Sequence, residues 1–377
     1  PIGAGEYRAR IAKVQARLAE SGRIGFLLEP GADFFYLTGL AWGRSERFHG
    51  LLVPVEGEPV HISPAFEVPR LEERMKVPAP VLAWEEDEDP YALVGRALAK
   101  LRRGHEERPL AIAPATRFFI VEGVRRAVPG LPIADGAPVI RPLRMRKSAA
   151  EIALMQIAFD ITHRAMREAA ARIAAGMTPA DIGAMIDRFT RAQGARPVFS
   201  LVQIGEASAY PHGSSLPQVA REGEIVLFDC GASVHGYQSD ISRTFVFGEP
   251  TAEHRRVWED ARRAQEIAFA AARLGTPCAK VDRAARSYLE SRGYGPGYRT
   301  PGLPHRTGHG IGLEGHEAPY FVASDQTPLD VGMCLSDEPG VYLPGRFGVR
   351  IEDCLYMTAD GPRWFTTPPR SIDQPFG

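Results

Sequence analysis

The sequence predicts an α+β protein of two domains: a smaller α/β domain over residues 1–140 and a larger, internally duplicated domain over residues 148–377. The chain has 377 residues, a length typical of two domains. Its first part alternates short apolar strands with amphipathic helices. The part after residue 148 runs twice through the same order of helix, helix and strands.

Composition and charge exclude several classes of protein. Lys and Arg number 45 against 46 for Asp and Glu, a net charge of -1, so we expect no nucleic-acid partner. Hydrophobic residues make up 44% and charged ones 24%, values too apolar for a disordered chain. No apolar run reaches the ~18 residues that span a bilayer, and the first residues lack the apolar core of a signal peptide. We therefore expect a cytoplasmic protein with no membrane partner, whose four cysteines are reduced and buried.

The elements of the first domain follow from periodicity and turn signals. Ile11, Val14 and Leu18 mark one face of an opening helix, and IGFLLE, LLVPV and PVHIS read as strands. The acidic run EEDEDP predicts the start of a helix over Pro90–Arg103, because negative charge favours a helix N-terminus. LAIA is then a strand and RFFIVEGVRRA a helix. The following proline- and arginine-rich stretch has no periodicity, so residues 141–147 are predicted as the linker.

Helix-start signals define the duplication in the second domain. Ser148 and Glu151 have the spacing of a capping box at the start of a long helix. Thr178 and Pro179 begin a second helix, and the same pair recurs at Thr276–Pro277 after another long helical stretch. Strand-like sequence follows each copy. The repeat predicts a site where the two halves meet.

Two aspartates stand in the strands of the first copy. Asp229 interrupts the apolar run EIVLFDCGASV, and Asp240 precedes the strand ISRTFVF. The two flank a turn around Gly236, so they are predicted to lie side by side. A carboxylate in so apolar a strand is costly unless a cation or hydrogen bonds compensate it. The pair therefore indicates a metal site.

The second copy supplies two glutamates and three histidines. Glu338 and Glu352 lie equally far from a turn near Gly345 and are predicted as cross-strand neighbours. The segment LPHRTGHGIGLEGHE contains His305, His309 and His316 among glycines that would let the backbone approach a ligand. A further histidine, His212, stands in YPHGSS. The four carboxylates of the two copies and one imidazole make an oxygen-rich set that suits two divalent ions such as manganese, which share bridging carboxylates and can hold a bridging water.

These segments resemble the pita-bread metallopeptidases, which include methionine aminopeptidase, aminopeptidase P, prolidase and creatinase. FDCGA, SDISRTF, HRTGHGIGLEGHE, EPGVY and GVRIED occur in the family's order over about residues 148–360. Within the family the resemblance is closest to prolidase, the Xaa-Pro dipeptidase. It implies a pita-bread catalytic domain over residues 148–377 and a creatinase/prolidase N-terminal-like domain over residues 1–140, which matches only loosely. A homodimer is also implied.

The resemblance assigns a role to each candidate residue. It implies a dinuclear site with Asp240 and Glu352 bridging, with the metal ligands Asp229, Asp240, His309, Glu338 and Glu352. Glu338 would also carry the proton from the nucleophilic water to the leaving amine. His305, His316 and His212 would bind substrate and stabilise the tetrahedral intermediate. Arg350 would steady the metal ligands or hold a substrate carboxylate, and Tyr342 would line the proline pocket. Asp337 departs from the aliphatic residue usual at its position.

The function implied is metal-dependent hydrolysis of the Xaa-Pro bond in Xaa-Pro dipeptides, through a water held between two divalent ions. Manganese is expected, with cobalt or zinc as alternatives. Aminopeptidase P activity on longer peptides stays open, as does a hydrolase or lyase acting on a small non-peptide compound. A binding module without catalysis should lack ligands or carry basic insertions, and the sequence shows neither.

Overall fold

A computed structural model describes residues 2–377. The chain divides into two compact units, the first ending at Arg144 and the second beginning at Met145. Within the described residues, no helix has both the length and the apolar character needed to cross a bilayer.

The first unit is built on a six-stranded mixed sheet in the order β4-β3-β2-β1-β5-β6. Its strands are Gly25–Leu28 (β1), Gly50–Pro54 (β2), Val60–Pro64 (β3), Val81–Trp84 (β4), Leu110–Ile112 (β5) and Ile133–Asp135 (β6). Its helices are Ala4–Glu20 (α1), Ala32–Thr38 (α2), Val68–Arg74 (α3), Pro90–Arg102 (α4), Phe118–Ala127 (α5) and Ala137–Met145 (α6). Strand β1 pairs antiparallel with β2 and parallel with β5. The prediction of an α/β arrangement is confirmed.

One helix of this unit agrees with the sequence-based prediction and another does not. Helix α4 begins where predicted, and Asp89 caps it by accepting a hydrogen bond from the backbone N–H of Tyr91. Helix α6 occupies much of the stretch where an irregular linker over 141–147 was expected. At the start of α6, Asp135 accepts a hydrogen bond from the backbone N–H of Ala137. Burial of the apolar side chains of α6 stabilises the helix although its proline content disfavours one.

The second unit carries the predicted repeat of helix, helix and strands. Its helices are Ala149–Ala170 (α7), Pro179–Ala192 (α8), Ala252–Ala271 (α9) and Cys278–Ser291 (α10). The first copy contributes the strands Arg196–Ile204 (β7), Glu224–Val234 (β8), Tyr237–Gln238 (β9) and Ile241–Phe247 (β10). The second contributes Gly308–Gly310 (β11), Glu317–Phe321 (β12), Cys334–Asp337 (β13), Gly340–Leu343 (β14), Phe347–Arg350 (β15), Asp353–Thr358 (β16) and Gly361–Trp364 (β17).

The helix starts of the two copies are capped differently. Ser148 and Glu151 form the predicted capping box, and Thr178 forms one with Asp181. In the second copy the helix begins at Cys278, so Pro277 takes the capping position and the Thr276 side chain does not cap. The duplication is therefore confirmed in element order, with a shift of one residue at this helix start.

The strands of the second unit form three sheets. Strands β10-β8-β7 make one, with β9 beside β8, and β12-β11-β13-β16-β17 make another. Strands β14 and β15 form a separate two-stranded ribbon. All four cysteines lie buried and free, as expected for thiols of the core.

Candidate metal centre and active site

The first-copy aspartates lie on either side of a tight turn. Asp229 is in β8 and Asp240 immediately precedes β10, which pairs with β8 so that Ser242 stands opposite Asp229. The turn between them passes through His235 and Gly236, both with positive φ (48° and 89°), as in the tight turns that join antiparallel strands. Carboxylate oxygens of Asp229, Asp240 and Glu352 lie within 4.8 Å of one another.

Glu338 and Glu352 lie at a break between two β-ladders, β13–β16 and β14–β15, whose residue pairings keep the same register. Asp337 pairs with Asp353 on one side of the break, and Gly340 pairs with Arg350 on the other. The two glutamates therefore stand opposite each other, as the sequence predicts. The ladder opens there because Glu352 instead exchanges backbone hydrogen bonds with Ser242 of β10, which joins the second copy to the first.

His309 presents one ring nitrogen to this group of carboxylates. Its Nδ1 is 3.1 Å from the carbonyl oxygen of Gly310, to which it donates. Its Nε2 lies 3.2 Å from Oε1 of Glu338, 3.6 Å from Oδ2 of Asp240 and 3.9 Å from Oε1 of Glu352. Burial holds the pKa of His309 well below its usual value, so the ring is neutral. A neutral imidazole with Nδ1 engaged by a carbonyl is oriented for metal binding through Nε2.

The carboxylates have buried oxygens with no partner among the described residues. These atoms are Oδ1 of Asp229, Oδ1 of Asp240 and Oε1 of Glu352. Burial, together with the charges of neighbouring carboxylates, raises the pKa of Asp240 and of Glu352 well above the ordinary value. Such a set is costly unless cations compensate it. The donor set therefore fits divalent metal ions.

His316 lies closer to the ligand set than its expected substrate role requires. Its ring centroid is 3.9 Å from that of His309. One of its ring nitrogens, one ring nitrogen of His309 and an oxygen of Asp240 all lie within 4.8 Å of one another. Ser242 and Ser336, which sequence reasoning did not single out, hold ligand oxygens: their hydroxyls donate to Glu352 at 2.6 Å and to Glu338 at 3.3 Å.

Arg350 is buried, lines the cavity over the ligand set, and donates four of its five N–H groups within the protein. Its Nη2 donates to Oδ2 of Asp229 at 2.5 Å and its Nε to the Ser242 hydroxyl at 2.9 Å. Its Nη1 contacts the carbonyl of Pro211 and the hydroxyl of Tyr342. Of the two roles expected for Arg350, steadying the metal ligands or holding a substrate carboxylate, these contacts favour the first.

Tyr342 lies behind the cavity rather than along its wall. It is 0% exposed, and its hydroxyl is 2.8 Å from Arg350 and 3.0 Å from Nε2 of His305. Nδ1 of His305 donates to the carbonyl of Arg306 at 2.7 Å, so Nε2 accepts from the Tyr342 hydroxyl. Burial and the charge of Arg350 lower the pKa of His305 to about 3. Tyr342, expected to line the proline pocket, instead positions an arginine and a neutral histidine.

A cavity of about 660 Å³ opens over the ligand set. Its polar walls include His212, His305 and His316, the histidines expected to bind substrate. Its apolar wall comes from β7, which sequence reasoning missed: Val198, Phe199 and Leu201. Gln238 and Arg306 also line it and were likewise not foreseen. Arg306 adjoins His305 in the glycine-rich segment, a position that could have identified it.

Gly308 and Gly310 of that segment serve strand packing and not the expected ligand approach, whereas Gly315 lines the cavity. A Cβ at Gly308 would collide with the carbonyl oxygen of Ser336 in β13. A Cβ at Gly310 would meet backbone carbonyl oxygens of β12 at 2.5 Å. Glycine is required here because β11 lies between two closely placed strands.

Asp337 lies among buried polar groups next to the ligand set. It is 0% exposed, and neither of its carboxylate oxygens has a hydrogen-bond partner among the described residues. Burial and the facing Asp353 raise its pKa well above the ordinary value. Asp353 is paired with Arg243 at 2.6 Å.

Comparisons with known proteins identify the family of the chain. Residues 153–359 match the model of metallopeptidase family M24, and residues 10–146 match the creatinase/prolidase N-terminal domain. The chain is 35% identical over 367 residues to a probable dipeptidase PepE of Mycobacterium tuberculosis, covering 94% of this chain and 93% of the relative. It is 32% identical over 360 residues to an Xaa-Pro dipeptidase of Lactobacillus helveticus, with coverage of 94% and 95%. The crystal structure of dipeptidase PepE from Mycobacterium ulcerans superposes with a TM-score of 0.90 at 33% identity, covering 98% of each chain.

The pita-bread fold and the carboxylate-rich site together define a metal-dependent hydrolase. The chain belongs to metallopeptidase family M24, with a creatinase/prolidase N-terminal domain preceding the catalytic domain.

Proposed function

We propose that this protein is an Xaa-Pro dipeptidase, which hydrolyses the bond preceding proline in free dipeptides with two divalent metal ions, manganese in the first instance. The observation that carries the proposal is the set of unpartnered, buried carboxylate oxygens facing His309 at the base of a cavity. Relatives of nearly the same length are named dipeptidase and Xaa-Pro dipeptidase. A homodimer in the cytoplasm completes the proposal.

The ligand residues divide between the two copies of the duplicated domain. Asp229 and Asp240 come from the first copy, and His309, Glu338 and Glu352 from the second. Metal ions held by them would supply Lewis acidity, polarising the scissile carbonyl and lowering the pKa of water. Arg350 holds Asp229 in place and Ser242 holds Glu352, so these oxygens are oriented before substrate enters.

Glu338 is the residue suited to moving the proton. Burial raises its pKa to about 7, and the guanidinium groups of Arg350 and Arg306 oppose a larger rise. A carboxylate at the edge of the cavity can accept a proton from water and release it to an amine. Glu338 takes the proton from the attacking water and delivers it to the proline nitrogen as the C–N bond breaks. His212 and His316 face the cavity, where they contact the substrate.

The test compares Leu-Pro, Leu-Pro-amide and a Leu-Pro-Xaa tripeptide with metal-stripped protein reloaded with manganese. Preference for the free dipeptide is the expected result. Equal or better cleavage of the tripeptide would make the protein an aminopeptidase P. Failure on all three substrates, with two metals bound per chain, would direct attention to a non-peptide substrate. Glu338→Gln serves as the inactive control.

A further inference from the structure

The first unit contains a cavity of about 240 Å³ whose lining residues all belong to that unit. Leu51 of β2 and His61 of β3 pair across neighbouring strands, so their side chains share one face of the sheet. With Leu37 and Leu40 they form the floor of the cavity, and each of the four is at most 4% exposed. Sites for drug-sized molecules measure about 300–1,000 Å³. This cavity therefore suits a smaller occupant with an apolar body.

His61 is the polar group of this floor, and the protein leaves it unsatisfied. Its Nδ1 is buried without a hydrogen-bond partner among the described residues. The ring contacts those of Phe34 and His49, with centroids 5.8 Å and 6.3 Å away. Burial lowers the pKa of His61 to about 4, so at pH 7 the imidazole is neutral, with one donor and one acceptor. Because a buried polar atom without a partner is costly, a ligand that hydrogen-bonds to this ring gains affinity.

The rim of the cavity is charged. Arg8 of α1 and Lys76, which follows α3, are exposed and line the cavity. Among the described residues neither side chain forms an ion pair or a hydrogen bond. Glu58 is the one anionic group of the lining, and it pairs with neither cation. Two cations against one anion favour an occupant that carries a negative charge.

Hydrogen bonds hold the walls of the cavity in place. The backbone N–H of His61 donates to the carbonyl of Pro80 at 2.9 Å, which fixes the segment that carries Lys76 along β3. The Gln15 side chain of α1 donates to the carbonyl of Gly57 at 2.8 Å and so fixes the turn between β2 and β3. Walls held in this way lose little entropy when a ligand binds.

We propose that this cavity binds a small organic carboxylate with an apolar body and a hydroxyl at its far end. The carboxylate pairs with Arg8 and Lys76 at the rim, and the body packs on the leucines of the floor. The hydroxyl hydrogen-bonds to the ring of His61, because a hydroxyl and a neutral imidazole can each donate and accept. Hydroxyaryl acids have this chemistry, and tyrosine adds an ammonium that Glu58 can accept. The site is independent of the metal centre and of its reaction.

The first experiment measures binding to the manganese-loaded full chain by titration calorimetry at pH 7. The probes are para-hydroxyphenylpropionate, phenylpropionate, which lacks the hydroxyl, para-ethylphenol, which lacks the carboxylate, and tyrosine. We expect saturable binding of para-hydroxyphenylpropionate, with phenylpropionate and para-ethylphenol each bound about 5-fold to 30-fold more weakly. Tyrosine bound more tightly than para-hydroxyphenylpropionate would support the site with an amino acid as its ligand, and tyrosine bound more weakly would support it with a hydroxyaryl acid.

Substitutions locate the binding site. His61→Leu should bind para-hydroxyphenylpropionate and phenylpropionate equally, because the partner of the hydroxyl is lost. Arg8→Gln and Lys76→Gln should each weaken binding of para-hydroxyphenylpropionate by about 3-fold to 10-fold and leave that of para-ethylphenol unchanged. Lys13→Gln, an exposed lysine of α1 outside the cavity, is the matched control and should bind as wild type. Thermal unfolding verifies that each variant is folded.

Hydrogen exchange distinguishes this cavity from the one over the ligand set. Bound para-hydroxyphenylpropionate should slow exchange in Val60–Pro64 and leave Arg196–Ile204 of β7 unchanged. Protection confined to β7 would place the ligand at the metal centre and refute the proposal. So would the absence of saturable binding up to about 10 mM. Equal affinity of the wild-type protein for the phenyl and hydroxyphenyl acids would also overturn it, whether or not the His61 variant folds.

Discussion

Arg350 and Asp229 form an ion pair, 2.5 Å between Nη2 and Oδ2, in which the arginine is buried and the side chain of Asp229 is 16% exposed. Breaking a buried pair from one side leaves the other charge uncompensated. Arg350→Met is therefore expected to lower the free energy of unfolding of the metal-free protein by about 3–5 kcal/mol, measured by urea unfolding after chelation. The control Arg221→Met, whose side chain is 71% exposed, should change it by less than about 0.5 kcal/mol. Equal effects of the two substitutions would refute the structural role of Arg350.

Glu352 should bind metal, and without metal its buried charge should lower the free energy of unfolding. Its pKa is raised by burial and by Glu338, so the charged form destabilises the protein when no cation is present. We expect Glu352→Gln to stabilise the metal-free protein at pH 8 by about 1–3 kcal/mol in urea unfolding. Exposed Glu259→Gln is the control and should change little.

Glu352 and Asp240 should determine how many metal ions the protein binds. Glu352→Ala and Asp240→Ala are each expected to abolish turnover and to reduce the bound metal from two ions to one per chain, measured by elemental analysis after dialysis. Both residues have an unpartnered buried oxygen in the group that fits a cation. An active Glu352→Ala protein that retains both ions would disprove the ligand assignment.

The Arg286–Asp282 pair should position the substrate-binding segment. Arg286 donates to the carbonyl groups of Leu303 and His305 from a buried helix face. Arg286→Met is expected to lower stability by about 3–5 kcal/mol and, because the segment carries cavity-lining His305, to raise KM for Leu-Pro. Arg283→Met, exposed on the same helix, is the matched control. Adding Asp282→Asn to Arg286→Met should restore part of the stability because it removes the unpaired charge. No recovery in the double variant would argue against the pair.

His61 should make the first unit sensitive to acid. The ring is 2% exposed, Nδ1 has no partner among the described residues, and burial lowers its pKa from 6.5 to about 4. A lowered pKa in the folded state means that the unfolded chain binds the proton first, so stability is full above pH 6.5 and falls as the pH drops towards 4. Between pH 7 and pH 5 the loss from this group is about 2 kcal/mol.

Hydrogen exchange of β3, which contains His61, measures this effect. The measured quantity is the opening free energy of Val60–Pro64, corrected for intrinsic exchange rates, at pH 7 and at pH 5. Its decrease over this interval should be about 2 kcal/mol smaller in His61→Gln than in wild type. His105→Gln, an exposed histidine of the same unit, should behave as wild type. Buried His49, with a pKa lowered to about 3, accounts for acid sensitivity that remains in the variant.

The positions of the metal-ligand candidates could be predicted because they depend on short-range order along the chain. Asp229 and Asp240 flank one tight turn, and Glu338 and Glu352 one hairpin, so turn position sets their register. The capping box at Ser148 was equally local. Helix α6 was not, because packing overrode a proline-rich composition that resembles a linker.

Side-chain direction and partners could not be predicted in this way. Arg350 and Arg306 are both arginines near proposed ligands. Only tertiary contacts show that Arg350 donates four hydrogen bonds within the protein, whereas Arg306 stacks on the ring of Tyr320. The burial of Tyr342 depends on two contacts that are not local: with Arg350 on the neighbouring strand and with His305, far earlier in the sequence. The sequence predicts ligand approach at the glycine-rich segment. It does not show that Gly308 is required by strand packing, because the carbonyl oxygen it faces belongs to Ser336, far along the chain.

The distribution of the proposed ligands over the duplicated halves has a practical consequence. The first half supplies two aspartates and the second supplies a histidine and two glutamates, so neither half alone has a complete set. The connection between β10 and α9, around Gly248–Thr251, is largely exposed and lies between the halves. A chain divided there is expected to yield two fragments that are each inert, so peptide cleavage would be a direct signal that the fragments have reassociated.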